Sequence, residues 1–109
     1  MKEPPSCSYN EISDETVYRL PDGTIHREDG PAISYSNGAY QEWQVHGKTH
    51  RLDGPAIIGR TLKEWWINDY HADRVIKPWA KEMNIDLDNL SEEDKILIAM
   101  VWGDYDGSD

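Results

Sequence analysis

A heptapeptide that occurs twice constrains the fold of this chain more than any other feature of the sequence. His-Arg-Glu-Asp-Gly-Pro-Ala occupies residues 26–32, and His-Arg-Leu-Asp-Gly-Pro-Ala occupies residues 50–56. A repeat at this period is typical of stacked supersecondary units, each of which buries its apolar face only against a neighbour. The defining positions are His26, Arg27, Asp29, Gly30 and Pro31 in the first copy, and His50, Arg51, Asp53, Gly54 and Pro55 in the second.

The residues around each copy predict short antiparallel strands joined by tight turns. Proline cannot donate a ladder hydrogen bond, so Pro31 and Pro55 belong at strand starts, directly after an Asp-Gly turn. The Asn37-Gly38 pair favours a type I′ hairpin turn. We therefore predict strands at residues 15–20, 24–27, 31–35, 39–45, 48–51, 56–58 and 62–67.

The last third of the chain predicts two helices. Pro78 is best tolerated in a first turn, so the first helix is expected to begin near Lys77. Ser91 followed by three acidic residues is a helix start, and Gly103 is placed to end that helix. We predict one α+β domain: a flexible leader at 1–14, a β-hairpin repeat region at 15–71 forming a meander of about six or seven strands, and an acidic helical region at 72–109.

The repeat resembles one found in small proteins of tailed bacteriophages, and is similar in logic to MORN-type hairpin repeats. The likeness rests on the two heptapeptides, on the Glu-Trp strands that separate them, and on Trp66-Ile67-Asn68 leading into an acidic helix. It covers roughly residues 15–71. His46 departs from the usual small or polar residue, and the third unit lacks Asp-Gly-Pro. The resemblance implies a setting of host takeover or evasion of host defence.

The net charge of the chain limits the classes of molecule that it is expected to bind. It carries 21 acidic and 11 basic residues, a net charge of −10. Nucleic-acid-binding proteins concentrate Lys and Arg on one face, so direct binding to nucleic acid is not expected, whereas a basic protein partner is. A single cysteine, Cys7, cannot form an internal disulfide, and the sequence has no signal-peptide or membrane-spanning apolar run, so we expect a cytoplasmic protein.

The histidines and acids of the repeat have both a catalytic and a structural interpretation. Each His precedes an Asp by three residues, which would suit a metal pair or an acid–base pair. Duplication of the motif favours a structural role instead, in which His or Asp caps its own turn. Arg27 and Arg51 are expected to pair with Asp29 and Asp53 or to stack on neighbouring rings.

No nucleophile elbow, phosphate-binding glycine loop or metalloprotease motif occurs, so we expect neither enzymatic activity, nor a metal, nor a cofactor. The chain has no Phe, and its tryptophans are therefore expected mainly in the core. They are Trp43, Trp65, Trp66, Trp79 and Trp102.

The acidic C-terminal region is the leading candidate for a binding surface. Residues 81–109 hold nine acidic and two basic residues, a net charge of −7. Such a surface can compete for the basic groove of a nucleic-acid-binding host protein, as a nucleic-acid mimic does. A solubilising face is the plain alternative. The predicted partner-binding residues are Glu82, Asp86, Asp88, Glu92, Glu93, Asp94, Trp102, Asp104 and Asp106.

The function that we predict is non-enzymatic inhibition or redirection of a host protein by this region and by the apolar segment 96–102. Two other classes stay open. One is a structural, self-assembling repeat module, in which exposed edge strands or the apolar segment join copies into a homo-oligomer. The other is a small-ligand or nucleotide-binding module that uses the Trp, His and Arg residues of the repeat.

Overall fold

Short strands and two helices follow one another along the chain, in a computed structural model that describes residues 4–108. The elements are β1 Ser6–Asn10, β2 Glu15–Arg19, β3 Ile33–Tyr35, β4 Tyr40–Glu42, β5 Gln44–Val45, β6 Lys48–Thr49, β7 Ile57–Ile58, β8 Lys63–Glu64, β9 Trp66–Ile67, β10 Tyr70–His71, α1 Asp73–Glu82 and α2 Glu92–Trp102.

Six of the strands form one antiparallel sheet in the order β1-β2-β3-β4-β7-β8. The pairs β5–β6 and β9–β10 are separate two-stranded hairpins. The predicted α+β class, with a meander followed by two helices, is confirmed. The main sheet has six strands, in agreement with the predicted meander of about six or seven, and the two separate hairpins bring the described residues to ten strands in all.

Each predicted Glu-Trp strand is divided into two strands, the second of which belongs to a separate hairpin. Residues 39–45 break at Trp43, and residues 62–67 break at Trp65. Glu42 still pairs with Ile57 in the main sheet, whereas Gln44 pairs with Thr49 in the hairpin. The ladder cannot continue past this point, because the segment opposite contains Pro55, which has no N–H to donate.

The predicted strand at 24–27 is reduced to one isolated bridge, between Arg19 and Ile25. The predicted type I′ turn at Asn37-Gly38 is confirmed: both residues have positive φ, and the Ala39 N–H donates to the Ser36 carbonyl at 3.1 Å.

The expectation of a flexible leader at 1–14 is wrong for the residues that the structure describes. β1 pairs with β2 over five residues, from Ser6 opposite Arg19 to Asn10 opposite Glu15. This strand is hard to predict from the sequence, because all five of its residues are exposed and they show no apolar alternation. Residues 1–3 of the predicted leader lie outside the described part of the chain.

The first helix begins four residues before the predicted start. α1 opens at Asp73, and Pro78 is its sixth residue. A proline there removes one helical hydrogen bond and costs about 3 kcal/mol. Ile76 and Ala80, on either side of Pro78, are both buried, and this packing offsets the cost.

The second helix begins as predicted. The Asp94 N–H donates to Ser91 Oγ at 3.0 Å, and the Ser91 N–H donates to Asp94 Oδ2 at 3.1 Å, which is a reciprocal capping box. Gly103 caps the other end, with right-handed backbone (φ −56°).

The hydrophobic core lies at the C-terminal end of the molecule, between the last hairpin and the helices. Val17, Ala32 and Ala56 are buried elsewhere, in the repeat region. No helix in the described residues is long and apolar enough to cross a membrane. The core consists of Trp65, Ile67, Ala72, Ile76, Ile98 and Tyr105, with Leu52, Val75, Trp79, Leu87, Leu90 and Trp102 packed around it.

Candidate partner-binding surface

The arginine of each repeat ties its own Asp-Gly-Pro turn together. Arg27 Nε donates to Asp29 Oδ1 at 2.9 Å, and Arg27 Nη1 donates to the Pro31 carbonyl at 3.2 Å. The same two bonds recur in the second copy at 2.8 and 3.0 Å. The hydrogen bond from Arg27, together with its charge, lowers the pKa of Asp29. The arginine and aspartate of each motif therefore bond to each other and to the turn, which is a structural role.

The same guanidinium groups stack on the ring of the preceding strand. Cζ of Arg27 lies 4.1 Å from the ring centre of Tyr18, and Cζ of Arg51 lies 3.9 Å from that of Trp43. A Cβ added to Gly54 would lie 2.6 Å from Cζ of Arg51, which is closer than van der Waals contact allows. Glycine is therefore needed so that the arginine can lie flat between turn and ring.

The repeat histidines do not cap their own turns, as the sequence led us to expect, but the turn of the next hairpin. Nδ1 of His26 accepts the His46 N–H at 2.9 Å, and Nδ1 of His50 accepts the Asn68 N–H at 3.0 Å. Burial lowers the pKa of His50 and so favours the neutral ring that this bond requires. In the described residues, no group of three His, Cys, Asp or Glu side chains could hold a metal ion.

Asp73 ends the array, a role that the sequence reading missed. In the second unit the Trp43 N–H donates to the Ala56 carbonyl at 2.8 Å. No Gly-Pro-Ala segment follows Trp65, and the Trp65 N–H donates instead to Asp73 Oδ1 at 2.6 Å. The signal was present in the sequence, because Ala72-Asp73 stands where His-Arg stands in the earlier units.

The predicted acidic residues lie in separate groups rather than on one continuous surface. Glu82 is the last residue of α1, Asp86 and Asp88 lie in the loop between the helices, and residues 92–94 form the first turn of α2. Asp104 and Asp106 follow α2. The two ends of the 11-residue helix α2 are about 16 Å apart at a rise of 1.5 Å per residue.

Lysines partly neutralise two of these carboxylates. Lys63 Nζ lies 3.9 Å from Asp88 Oδ1, and Lys95 Nζ lies 3.2 Å from Glu92 Oε1. Among the described residues, Glu93 makes no ion pair. Exposed pairs of this kind contribute little to stability, but they reduce the negative potential that a partner meets.

The remaining acidic residues differ in the hydrogen bonds and ion pairs that their carboxylates already make. Asp94 belongs to the capping box of α2. Asp106 accepts hydrogen bonds from the Ser108 hydroxyl and backbone N–H, and these lower the pKa of Asp106. Asp104 is exposed and has no ion pair within residues 4–108.

One side of α2 exposes apolar side chains to solvent. Ile96 is 61% exposed, Met100 78% and Val101 49%. We call these three residues the α2 strip. Glu93 lies three residues before Ile96 and seven before Met100, so it shares this side of the helix. The strip is thus an apolar surface with a carboxylate beside it.

Trp102, predicted to contact a partner, lies on the other side of α2 and is not part of the α2 strip. Its ring packs edge-on against Trp79, with ring centres 5.7 Å apart, and against Tyr105 at 5.5 Å. It belongs to the residues packed around the core. Apolar residues occur all round this helix, and only tertiary packing decides which of them are covered.

A groove between α2 and the second repeat is a candidate site for the small ligand of the alternative prediction. Trp43, His50 and Arg51 line one side and Lys95 and Ala99 the other, around about 240 Å³. Pockets for small molecules usually enclose roughly 300–1,000 Å³. The guanidinium of Arg51 is already engaged by its own turn. The groove therefore gives this alternative little support.

Comparisons of the chain with protein-family models, with curated proteins and with solved structures found no match.

Proposed function

We propose that this chain is a non-enzymatic binding protein that inhibits or redirects another protein through the exposed side of α2. The observation that supports it most is the α2 strip. An isoleucine, a methionine and a valine on one helix side are largely exposed, although the same helix buries Ile98 completely. Contiguous apolar surface on a small protein marks interaction sites.

The partner that fits this side is a protein with a basic surface. Glu93 stands beside the α2 strip without an ion pair among the described residues, and the C-terminal region carries a net charge of −7. Carboxylates around an apolar centre steer a basic partner and set its orientation. The resemblance to phage proteins favours a host protein, and a nucleic-acid-binding groove is the most specific form of this proposal.

The test is affinity capture from bacterial lysate with paired variants. Glu93→Lys reverses the charge beside the α2 strip, and Met100→Ser removes its most exposed side chain. Glu11→Lys makes the same charge change in the exposed turn between β1 and β2. Asp94 is left intact, because its reversal would break the capping box and disturb the helix itself.

We expect a basic protein that is retained by the wild type and by Glu11→Lys, is released as salt rises, and is lost with the other two variants. Circular dichroism checks that all variants fold. Capture that is equal for all four proteins, or that is insensitive to salt, contradicts the proposal.

Self-assembly is a second candidate, because β1 leaves a free sheet edge. All five of its residues are exposed, and none is the Lys or Pro that proteins use to block an edge. Light scattering on the purified protein would show a dimer or larger species, and Cys7→Lys on this strand would return it to a monomer. A monomer at all concentrations counts against this candidate.

A further inference from the structure

The face of the main sheet that bears Glu42 and Glu64 carries a second, independent set of polar and aromatic groups. Glu42 lies opposite Ile57, and Ile57 lies opposite Glu64, across three neighbouring strands. Directly opposed residues share a face, so both carboxylates lie on the same side, about 10 Å apart. We call Tyr35, Tyr40, Glu42, Glu64, Trp66 and His71 the carboxylate–aromatic face.

Neutral donors, rather than cations, hold the two carboxylates. Glu42 Oε1 accepts from the Tyr40 hydroxyl at 2.8 Å, and Glu42 Oε2 accepts from Gln44 at 2.5 Å. Glu64 Oε1 accepts from the Trp66 indole N–H at 3.1 Å. Within the part of the chain that the structure describes, neither glutamate makes an ion pair. Both side chains are half-buried, and neither has a cationic partner among residues 4–108.

Aromatic pairs stand on both sides of the carboxylates. The rings of Tyr35 and Tyr40 stack with centres 4.5 Å apart, and the rings of Trp66 and His71 stack at 5.0 Å. Burial, followed by the hydrogen bond and charge of Glu42, raises the pKa of Tyr40, so its hydroxyl stays protonated and keeps donating. The face combines preoriented oxygens with flat apolar surfaces.

The loop between the helices lies against the opposite face of the sheet. Alternate residues of a strand point to opposite sides, so Ile58 and Lys63 are on the other face, where they line a groove with Leu87 and Leu90 from the loop between the helices. On the carboxylate–aromatic face, Tyr35 is 36% exposed and His71 is exposed. A partner can therefore reach this face without disturbing the core or α2.

We propose that the carboxylate–aromatic face binds an arginine-containing peptide segment of a protein partner. Guanidinium is planar, forms two parallel hydrogen bonds with a carboxylate and stacks on aromatic rings, so it can use both kinds of group on this face. It would also supply a cationic partner, which neither Glu42 nor Glu64 has among the described residues. The inference stands apart from the α2 strip, which lies on a different element.

The test uses three labelled synthetic peptides of the same length, in which arginine, lysine or glutamine alternates with glycine. Binding to the purified protein is followed by fluorescence anisotropy. We expect the arginine peptide to bind tightest, the lysine peptide more weakly and the glutamine peptide not at all. Glu42→Gln and Glu64→Gln should each weaken binding of the arginine peptide about tenfold, because each removes one charged partner but keeps an acceptor oxygen.

Two further measurements separate this face from the α2 strip and from loss of fold. Glu93→Gln is the matched control, with the same change of charge on α2, and it should leave the affinity unchanged. The Trp66 indole N–H resonance of the wild type should shift on titration with the arginine peptide, since that group bonds to Glu64.

The inference is overturned if the arginine peptide does not bind, if it binds no better than the glutamine peptide, or if Glu93→Gln weakens binding while the two sheet variants do not. In the last case the α2 proposal survives. Loss of binding in a sheet variant counts as support only when the variant keeps the wild-type circular dichroism and the Trp66 resonance of the wild type shifts.

Discussion

At the scale of single residues, the repeat motif is a set of hydrogen bonds that join one unit to the next. Arginine closes its own turn, and histidine accepts an N–H from the following hairpin. These two bonds join residues far apart in sequence: His26 and His46 are separated by 20 positions, and His50 and Asn68 by 18. A histidine that must stay neutral to accept this bond makes the fold sensitive to acid.

His50 is expected to make stability fall below neutral pH. Its folded-state pKa is lower than the ordinary value of 6.5. The unfolded chain therefore binds the proton more readily, so the contribution of His50 is present in full above about pH 6.5 and is lost as pH falls through the lower folded value. Urea unfolding at pH 7 and pH 5 measures this loss.

His50→Gln, whose amide oxygen can still accept the Asn68 N–H, should reduce the difference between the two pH values. His50→Ala should cost about 1 kcal/mol at pH 7, because that N–H loses its acceptor. An unchanged pH dependence in His50→Gln would contradict the role assigned to this ring.

At the scale of elements, the end of the array is also the start of α1. Asp73 accepts the backbone N–H of Trp65 at 2.6 Å, and its other oxygen lies 3.2 Å from Lys77 Nζ one turn along the helix. Its position in the first turn also suits the helix dipole. One carboxylate thus takes the place of a third copy of the heptapeptide and begins the helical region.

Asp73→Ala should destabilise the protein by about 2 kcal/mol, because it leaves the N–H of the buried Trp65 without an acceptor. Asp73→Asn keeps an acceptor oxygen and should cost less. Urea denaturation gives both values, and hydrogen exchange at the Trp65 amide should be faster in the alanine variant. Asp104→Ala, at an exposed carboxylate, is the control. Equal losses for the alanine and asparagine variants would show that charge, not the hydrogen bond, matters at this position.

At the scale of the whole molecule, a thin sheet is joined to a small core at one end. The radius of gyration is 14.7 Å, with extents of 44 × 35 × 26 Å. A compact chain of this length would have a radius of about 13 Å. The extra length reflects a sheet that extends away from the core, while the helices pack against the last hairpin. The helices therefore act as the terminal cap that a repeat array needs.

This architecture predicts that the repeat region depends on the helices for its stability. A chain that ends at His71 lacks Ile76 and Ile98, which are fully buried, and exposes Trp65 and Ile67. Each buried side chain of this size contributes about 1.5–3 kcal/mol, so the shortened chain should be unfolded at 25 °C. Circular dichroism and urea titration measure this outcome. A cooperative transition like that of the full chain would show that the repeats stabilise themselves.

The sequence by itself determined the repeat, the turns and the capped start of α2, because these depend on local backbone chemistry. Proline lacks an N–H, Asn-Gly accepts positive φ, and Ser91 with Asp94 satisfies the first turn of a helix. The meander and the α+β class followed from these signals. The local patterns also placed Arg27 and Arg51 correctly beside their own aspartates and against neighbouring rings.

Only the tertiary structure decided which strands break, which turn each histidine caps and which side of α2 is open. The segment around Ile98 is apolar on every side, so no periodicity distinguishes the partly buried Trp102 from the exposed Met100. The position of the last hairpin makes that difference. The carboxylate–aromatic face arises in the same way, since Glu42 and Glu64 become neighbours only through the register of β4, β7 and β8. Contacts between residues distant in sequence depend on packing, which local patterns do not encode.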